Sequence, residues 1–126
     1  MGADHMNASF GEQSYAIVDA ISAKYNGIFA HEMGHIFGAS HDVDHGGPGL
    51  FSYSSAYKFP YQGQSYRTVM AYGEEILVST FSNPARLHPV LKVPVGAADH
   101  NNGDTIRQTA RIVQAFRPSK IRPGQP

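Results

Sequence analysis

The chain has 126 residues, enough for one domain around one hydrophobic core and too few for two ordinary ones. Hydrophobic residues make up 41% and charged residues 16%, a globular composition that argues against intrinsic disorder. Ten Lys and Arg balance ten Asp and Glu, and no basic block or basic-aromatic stripe points to a nucleic-acid partner.

There are no cysteines, which removes disulfides, thiolate metal sites and cysteine nucleophiles together. That absence does not place the compartment. No apolar run approaches membrane-spanning length. The opening "MGADHMNASFG" has neither a basic nor an apolar leader segment, so an export signal, if the protein has one, lies outside this chain.

Residues 1–12 read as a flexible arm, and "QSYAIVDAIS" (13–22) is the first strand candidate, mixing β-branched and aromatic residues. Asn26-Gly27 marks a turn. From Ile28 to about Ser40 the chain reads as a helix, with Phe29, Met33, Ile36 and Phe37 recurring at helical spacing as its core face. Gly38 should end or bend it, because glycine takes the left-handed conformation at a helix C-terminus. Residues 42–49 are a loop by composition, and 50–59 and 64–72 are aromatic-rich and extended or irregular. Residues 75–84 hold a short apolar strand stopped by Asn83-Pro84, and Pro89 and Pro94 argue against helix in the next stretch. Thr105 followed by Gln108 has the capping-box spacing, and Ile106, Ala110 and Val113 form a helical stripe that should run to about Phe116. Residues 118–126 read as a loose tail.

Within the first helix, "HEMGHIFGASHD" (31–42) carries the chemistry. His31 and His35 are four apart, so on a helix they differ by roughly 40° and project from one face. Two imidazoles so placed can share one Zn²⁺. Glu32 can reach the open side of that metal, where a water would bind. A turn at Gly38 lets His41 return as a third ligand. Three nitrogens leave a fourth position for water, the arrangement of a catalytic zinc site. A lone HExxH arises by chance often; five fixed residues within eleven positions do not.

This stretch resembles the metzincin metallopeptidase signature, and "YRTVMAYG" (66–73) is similar to the family's Met-turn, with Met70 beneath the zinc-binding imidazoles. Asp42 after the third histidine is similar to reprolysin (adamalysin-like) enzymes, whereas the Met70-to-Tyr72 spacing is that of astacins and serralysins. The combination most resembles a bacterial reprolysin-like group that includes peptidyl-Asp metallopeptidases. The likeness is good over 28–84, loose over the last helix and weak before residue 28.

The resemblance implies an α+β, zincin-like catalytic domain over residues 13–117, acting on protein or peptide substrates outside the cell. His31, His35 and His41 would hold one catalytic Zn²⁺, supported by Gly38 and Met70. Glu32 would be the general base that takes a proton from water and passes it to the leaving amine. Tyr72 would be either a weak further ligand or a donor to the tetrahedral oxyanion, with the plain alternative of an exposed tyrosine. Asp42 would be structural, bonding the Met-turn or a neighbouring backbone group. Segment 73–84 would form the outer wall of the S1′ pocket. Arg67 and Arg86 stand there as surface salt-bridging residues first and selectors of an acidic side chain second. His45 reads as a solvated loop residue, or less readily as part of a second metal site, and His5, His88 and His100 have no partner spacing.

Thirty residues before His31 leave room for one or two strands and no helix, so the substrate-gripping half of the fold is expected to be reduced, or supplied by an N-terminal subdomain or partner. Two function classes therefore stay in view. One is a zinc endopeptidase. The other is a zinc-stabilised binding module with little activity, against which Glu32 argues, since a structural zinc needs no general base. A zinc hydrolase using Glu74 or Glu75 as third ligand is disfavoured by His41.

Overall fold

The computed structural model describes residues 16, 18 and 27–116. The strand candidate at 13–22, most of the N-terminal segment and the tail lie outside the described residues. Among the described residues, two helices and a three-stranded sheet form an α+β arrangement.

Helix α1 spans Ile28–Ile36 and is entered through Gly27 in the left-handed conformation. It stops four residues short of the expected end. Gly38 takes φ 85°, its N–H donates to His35 O at 3.0 Å, and Ala39 N–H reaches back to Gly34 O at 3.0 Å. That pair of bonds is the Schellman closure, which satisfies the last carbonyls and turns the chain sharply.

Strands β1 (Lys58–Tyr61) and β2 (Gln64–Arg67) form an antiparallel hairpin with Phe59 opposite Tyr66. Its two-residue turn places Gln62 at φ 46° and Gly63 at φ 78°, the double left-handed geometry that matches strand twist. The short β3 (Ile76–Leu77) adds to β2 in parallel, giving the order β1-β2-β3. The proline-bearing stretch is non-helical as expected. It folds back on itself through His88 N–H to Val93 O (2.8 Å) and Val95 N–H to Arg86 O (2.9 Å).

Helix α2 runs Asn102–Gln114, starting four residues before the position expected from a cap at Thr105. Asn101 is its cap, accepting the Asp104 N–H at 3.0 Å. Gln108, expected to close the box at Thr105, instead donates to Asp104 at 2.7 Å and to the Tyr53 hydroxyl at 2.6 Å.

The apolar stripes expected of both helices are not what these helices bury. In α1 the buried residues are His31 and Gly34, while Phe29 is 56% exposed and Met33, Ile36 and Phe37 are half-buried. In α2 the buried residues are Asn102, Thr105 and Thr109, with Ile106 and Val113 half-buried and Ala110 exposed. Backbone proximity explains this. Short polar side chains let α2 approach the chain that leaves α1, and each finds a partner there. Thr109 donates to Phe37 O (2.7 Å), Thr105 meets the Ser54 hydroxyl (2.6 Å), and Asn102 both accepts from Ser40 N–H (3.0 Å) and donates to Ser40 O (2.8 Å). Buried polar groups that are fully paired carry no desolvation deficit.

Two apolar clusters flank this seam. One gathers Ala39, Ala56, Val69, Met70 and Ala71 with Ala30, Phe81 and Ile106 around it; the other gathers Phe59, Val78 and Val95. Gly34 joins α1 to the first. A Cβ there would lie 2.5 Å from the Met70 sulfur and 2.8 Å from a Phe81 ring carbon, so only a glycine lets the helix rest on Met70.

Candidate metal centre

His31 and His35 project from one face of α1, and the turn at Gly38 returns His41 to them. The His41 Nε2 lies 3.1 Å from that of His31 and 3.0 Å from that of His35. The three residues form a group able to hold a metal ion, the only one among the described residues.

The tautomers show what such short nitrogen contacts mean. His31 Nδ1 donates to Val69 O at 3.0 Å, and His41 Nδ1 donates to His45 O at 2.9 Å. A neutral imidazole that carries its proton on Nδ1 presents a lone pair at Nε2. Lone pairs of at least two rings therefore face one another with no proton between them, which is unfavourable without a cation. Tetrahedral zinc with nitrogens at ~2.05 Å sets those nitrogens ~3.3 Å apart, close to the separations found. The donor set fits a divalent ion with soft-to-borderline character. His35 has its pKa lowered by burial first and then by repulsion from His31 and His41, against which Glu32 and the Ala39 backbone pull it up. A ring kept neutral is a ring kept available as a ligand.

Burial grades across the centre. His31 is 8% exposed, His41 half-buried and His35 exposed, so one side of the cluster meets solvent. Glu32 is half-buried, and its carboxylate makes no hydrogen bond or ion pair with another described residue. Tyr72 is 47% exposed, and its ring centroid stands 4.4 Å from that of His41 and 5.4 Å from that of His31. A cavity of about 200 Å³ opens beside His31, lined also by Arg67, Val69 and Tyr72.

The segment that carries Met70 supports the cluster from below. Ala71 N–H donates to Thr68 O (2.9 Å), closing a turn in which Met70 is fully buried. Arg67 Nη1 ties the Ala71 carbonyl at 3.0 Å. Asp42 lies 4% exposed between this turn and the loop after His41, and both its oxygens are used. Oδ2 accepts the Tyr72 N–H at 3.0 Å and Oδ1 accepts from the His45 ring at 2.6 Å. Burial alone would raise the Asp42 carboxyl; the bonds from His45 and Tyr72 outweigh it and hold the group below its ordinary value.

Other sequence expectations meet different fates. His45 is solvent-exposed in its loop as expected, and it is also ordered there, bonded through both ring and carbonyl. His88 accepts two backbone N–H groups within its own turn, and His100 donates across the chain to Ala56 O, both structural contacts away from the histidine group. Glu75 pairs with Lys58 at 3.1 Å, and neither it nor Glu74 joins the histidine group. Surface ion pairing of Arg67 and Arg86 is not among the ion pairs of the described residues; Arg67 Nε is buried with no partner.

A family model, metallo-peptidase family M12B reprolysin-like, matches residues 1–115. The chain belongs to that family. The match begins at residue 1, so the reprolysin-like character extends through the stretch before residue 28, where motifs alone show little likeness. Among curated proteins and among solved structures, no relative matches the chain.

Residue reasoning missed three supports of this reprolysin-like centre: the Val69 carbonyl, the His45 carbonyl and Asn102. Backbone carbonyls leave no side-chain signal. Asn102 had one, as a second asparagine at a helix start where a single cap suffices.

Proposed function

We propose that the chain is a zinc-dependent endopeptidase. The observation that carries this reading is the convergence of the His31, His35 and His41 nitrogens at metal-binding spacing, in a chain of the M12B reprolysin-like family. His31, His35 and His41 would hold the zinc ion, which would supply a Lewis acid for the hydrolysis. Glu32, adjacent to the first ligand and with a carboxylate that makes no hydrogen bond or ion pair with another described residue, serves as general base toward the attacking water and returns the proton to the leaving amine. Tyr72, whose ring lies over His41 and His31, offers its phenol to the developing oxyanion.

The turn around Met70 acts as the family's Met-turn: it sits under α1, and its Val69 carbonyl fixes the His31 tautomer. Asp42 ties that turn to the third ligand. The substrate is a protein or peptide, and an extracellular site of action follows from the family. No described helix is long and apolar enough to cross a membrane. The binding-module reading is the weaker, because an open His₃ set beside an unpaired carboxylate is a poor structural site.

Zinc stoichiometry combined with cleavage of a mixed peptide library, with and without chelator, tests the reading. One zinc per chain and chelator-sensitive cleavage are expected. One bound zinc with no cleavage would favour the binding module, and cleavage indifferent to chelator would overturn the assignment.

A further inference from the structure

His45 sits in the short 3₁₀ turn Val43–His45, just after the third ligand, and takes part in three contacts at once. Its carbonyl oxygen accepts from His41 Nδ1 at 2.9 Å, which fixes the tautomer of that ring and aims its Nε2 at the cluster. Its own Nδ1 donates to Asp42 Oδ1 at 2.6 Å, while the other oxygen of Asp42 holds the Tyr72 N–H at 3.0 Å. Its ring also meets the Tyr72 ring edge-on, with centroids 5.6 Å apart.

A ligand on a loop differs from one on a helix. His31 and His35 inherit their direction from α1, but His41 follows the turn at Gly38 and has no regular element to orient it. The loop is closed by His45 N–H to Asp42 O (2.9 Å) and Gly47 N–H to Asp42 O (3.1 Å), backbone bonds that do not depend on the side chain at position 45. The ring of His45 adds a side-chain bond to Asp42 within the turn, beside the Ser55 hydroxyl that holds the His41 carbonyl from outside it at 3.2 Å. Remove the ring donor and Asp42 keeps a buried oxygen without a partner, so the pull on both the His45 carbonyl and the Tyr72 amide weakens together.

We infer that His45 is a positioning residue for the metal centre: its ring clamps Asp42 so that its carbonyl holds His41 at the ligand angle and Tyr72 stays over the cluster. The inference rests on the zinc reading above. It needs no change of protonation. It needs a donor at the Nδ1 position, which an asparagine amide can supply at nearly the same reach from the backbone and a leucine cannot.

The test compares His45→Leu and His45→Asn with the parent chain in two measurements. The first is Zn²⁺ affinity by competition with a chromogenic chelator, at matched circular dichroism. The second is hydrogen exchange of the Tyr72 amide in the zinc-free protein. His45→Leu should bind zinc about 10–100-fold more weakly, the usual effect of losing a partner that orients a ligand. It should also expose the Tyr72 amide to faster exchange, and His45→Asn should restore both. Unchanged affinity and exchange in His45→Leu would overturn the clamp. So would His45→Asn behaving like His45→Leu, since the ring itself would then matter. A parent chain that binds no zinc would instead overturn the functional reading, while the exchange result would still judge the clamp.

Discussion

Gly34→Ala sets two opposed effects of known size against each other. Alanine in place of glycine within a helix gains about 1 kcal/mol of intrinsic helix stability. The new methyl, however, would stand 2.5 Å from the Met70 sulfur and 2.8 Å from a Phe81 ring carbon, where about 3.5–4.0 Å is comfortable. Met70 is fully buried, so its sulfur cannot swing into solvent. Overpacking of this kind costs about 1–3 kcal/mol, and because both neighbours must move the upper half of that range applies. The net should be a loss of about 1–2 kcal/mol, read as a drop in Tm of roughly 3–10 °C for a chain of this size. Thermal and urea unfolding measure it directly. A double-mutant cycle locates the cause. With Met70→Ala as background, itself costing about 2–5 kcal/mol, the alanine at 34 should become neutral or stabilising because its methyl enters the vacated space. A single Gly34→Ala variant more stable than the parent would refute the packing of α1 on Met70, as would additivity of the two substitutions.

Asn102→Ala removes both bonds to the Ser40 peptide, at 3.0 and 2.8 Å, and leaves partly buried backbone groups unpaired. A loss of about 2–4 kcal/mol is expected by urea unfolding, against less than about 0.5 kcal/mol for Ala110→Ser on the exposed face of α2. The Asp104 carboxyl is held below its ordinary value by bonds from Gln108 and then Arg107. Its stabilising effect is therefore complete above the unfolded pKa and lost as pH falls through the lower folded one. The stability gap between the parent and Asp104→Asn should accordingly shrink as pH drops below about 4, and a gap that widens there would contradict the sign.

The chemistry was more legible in the sequence than the packing. His31, His35 and His41 are placed by helix period and one glycine, both of which are local rules, and the structure brings them together as that spacing requires. Gly38 was legible for the same reason, since a left-handed closure is written in one residue. The buried faces were not. Hydrophobic periodicity assigns Phe29 and Ala110 to a core, yet the seam between the helices is filled by Asn102, Thr105, Thr109 and Ser54, whose burial depends on partners far away in the chain. The start of α2 was misread because Thr105 offers the right spacing, while Asn101 and Asp104 offer the better local bond. His45 was illegible since its use depends on a carbonyl and on where Asp42 comes to lie.

The proposed activity requires a three-histidine zinc centre and Glu32 to act together on the peptide bond. Zinc content and peptide-cleavage rate, measured side by side on the parent and on Glu32→Ala, test it most directly. One zinc per chain in both proteins, with hydrolysis present in the parent and abolished in the variant, is the predicted result. Cleavage that survives in Glu32→Ala, or that persists after chelation of the parent, would contradict it.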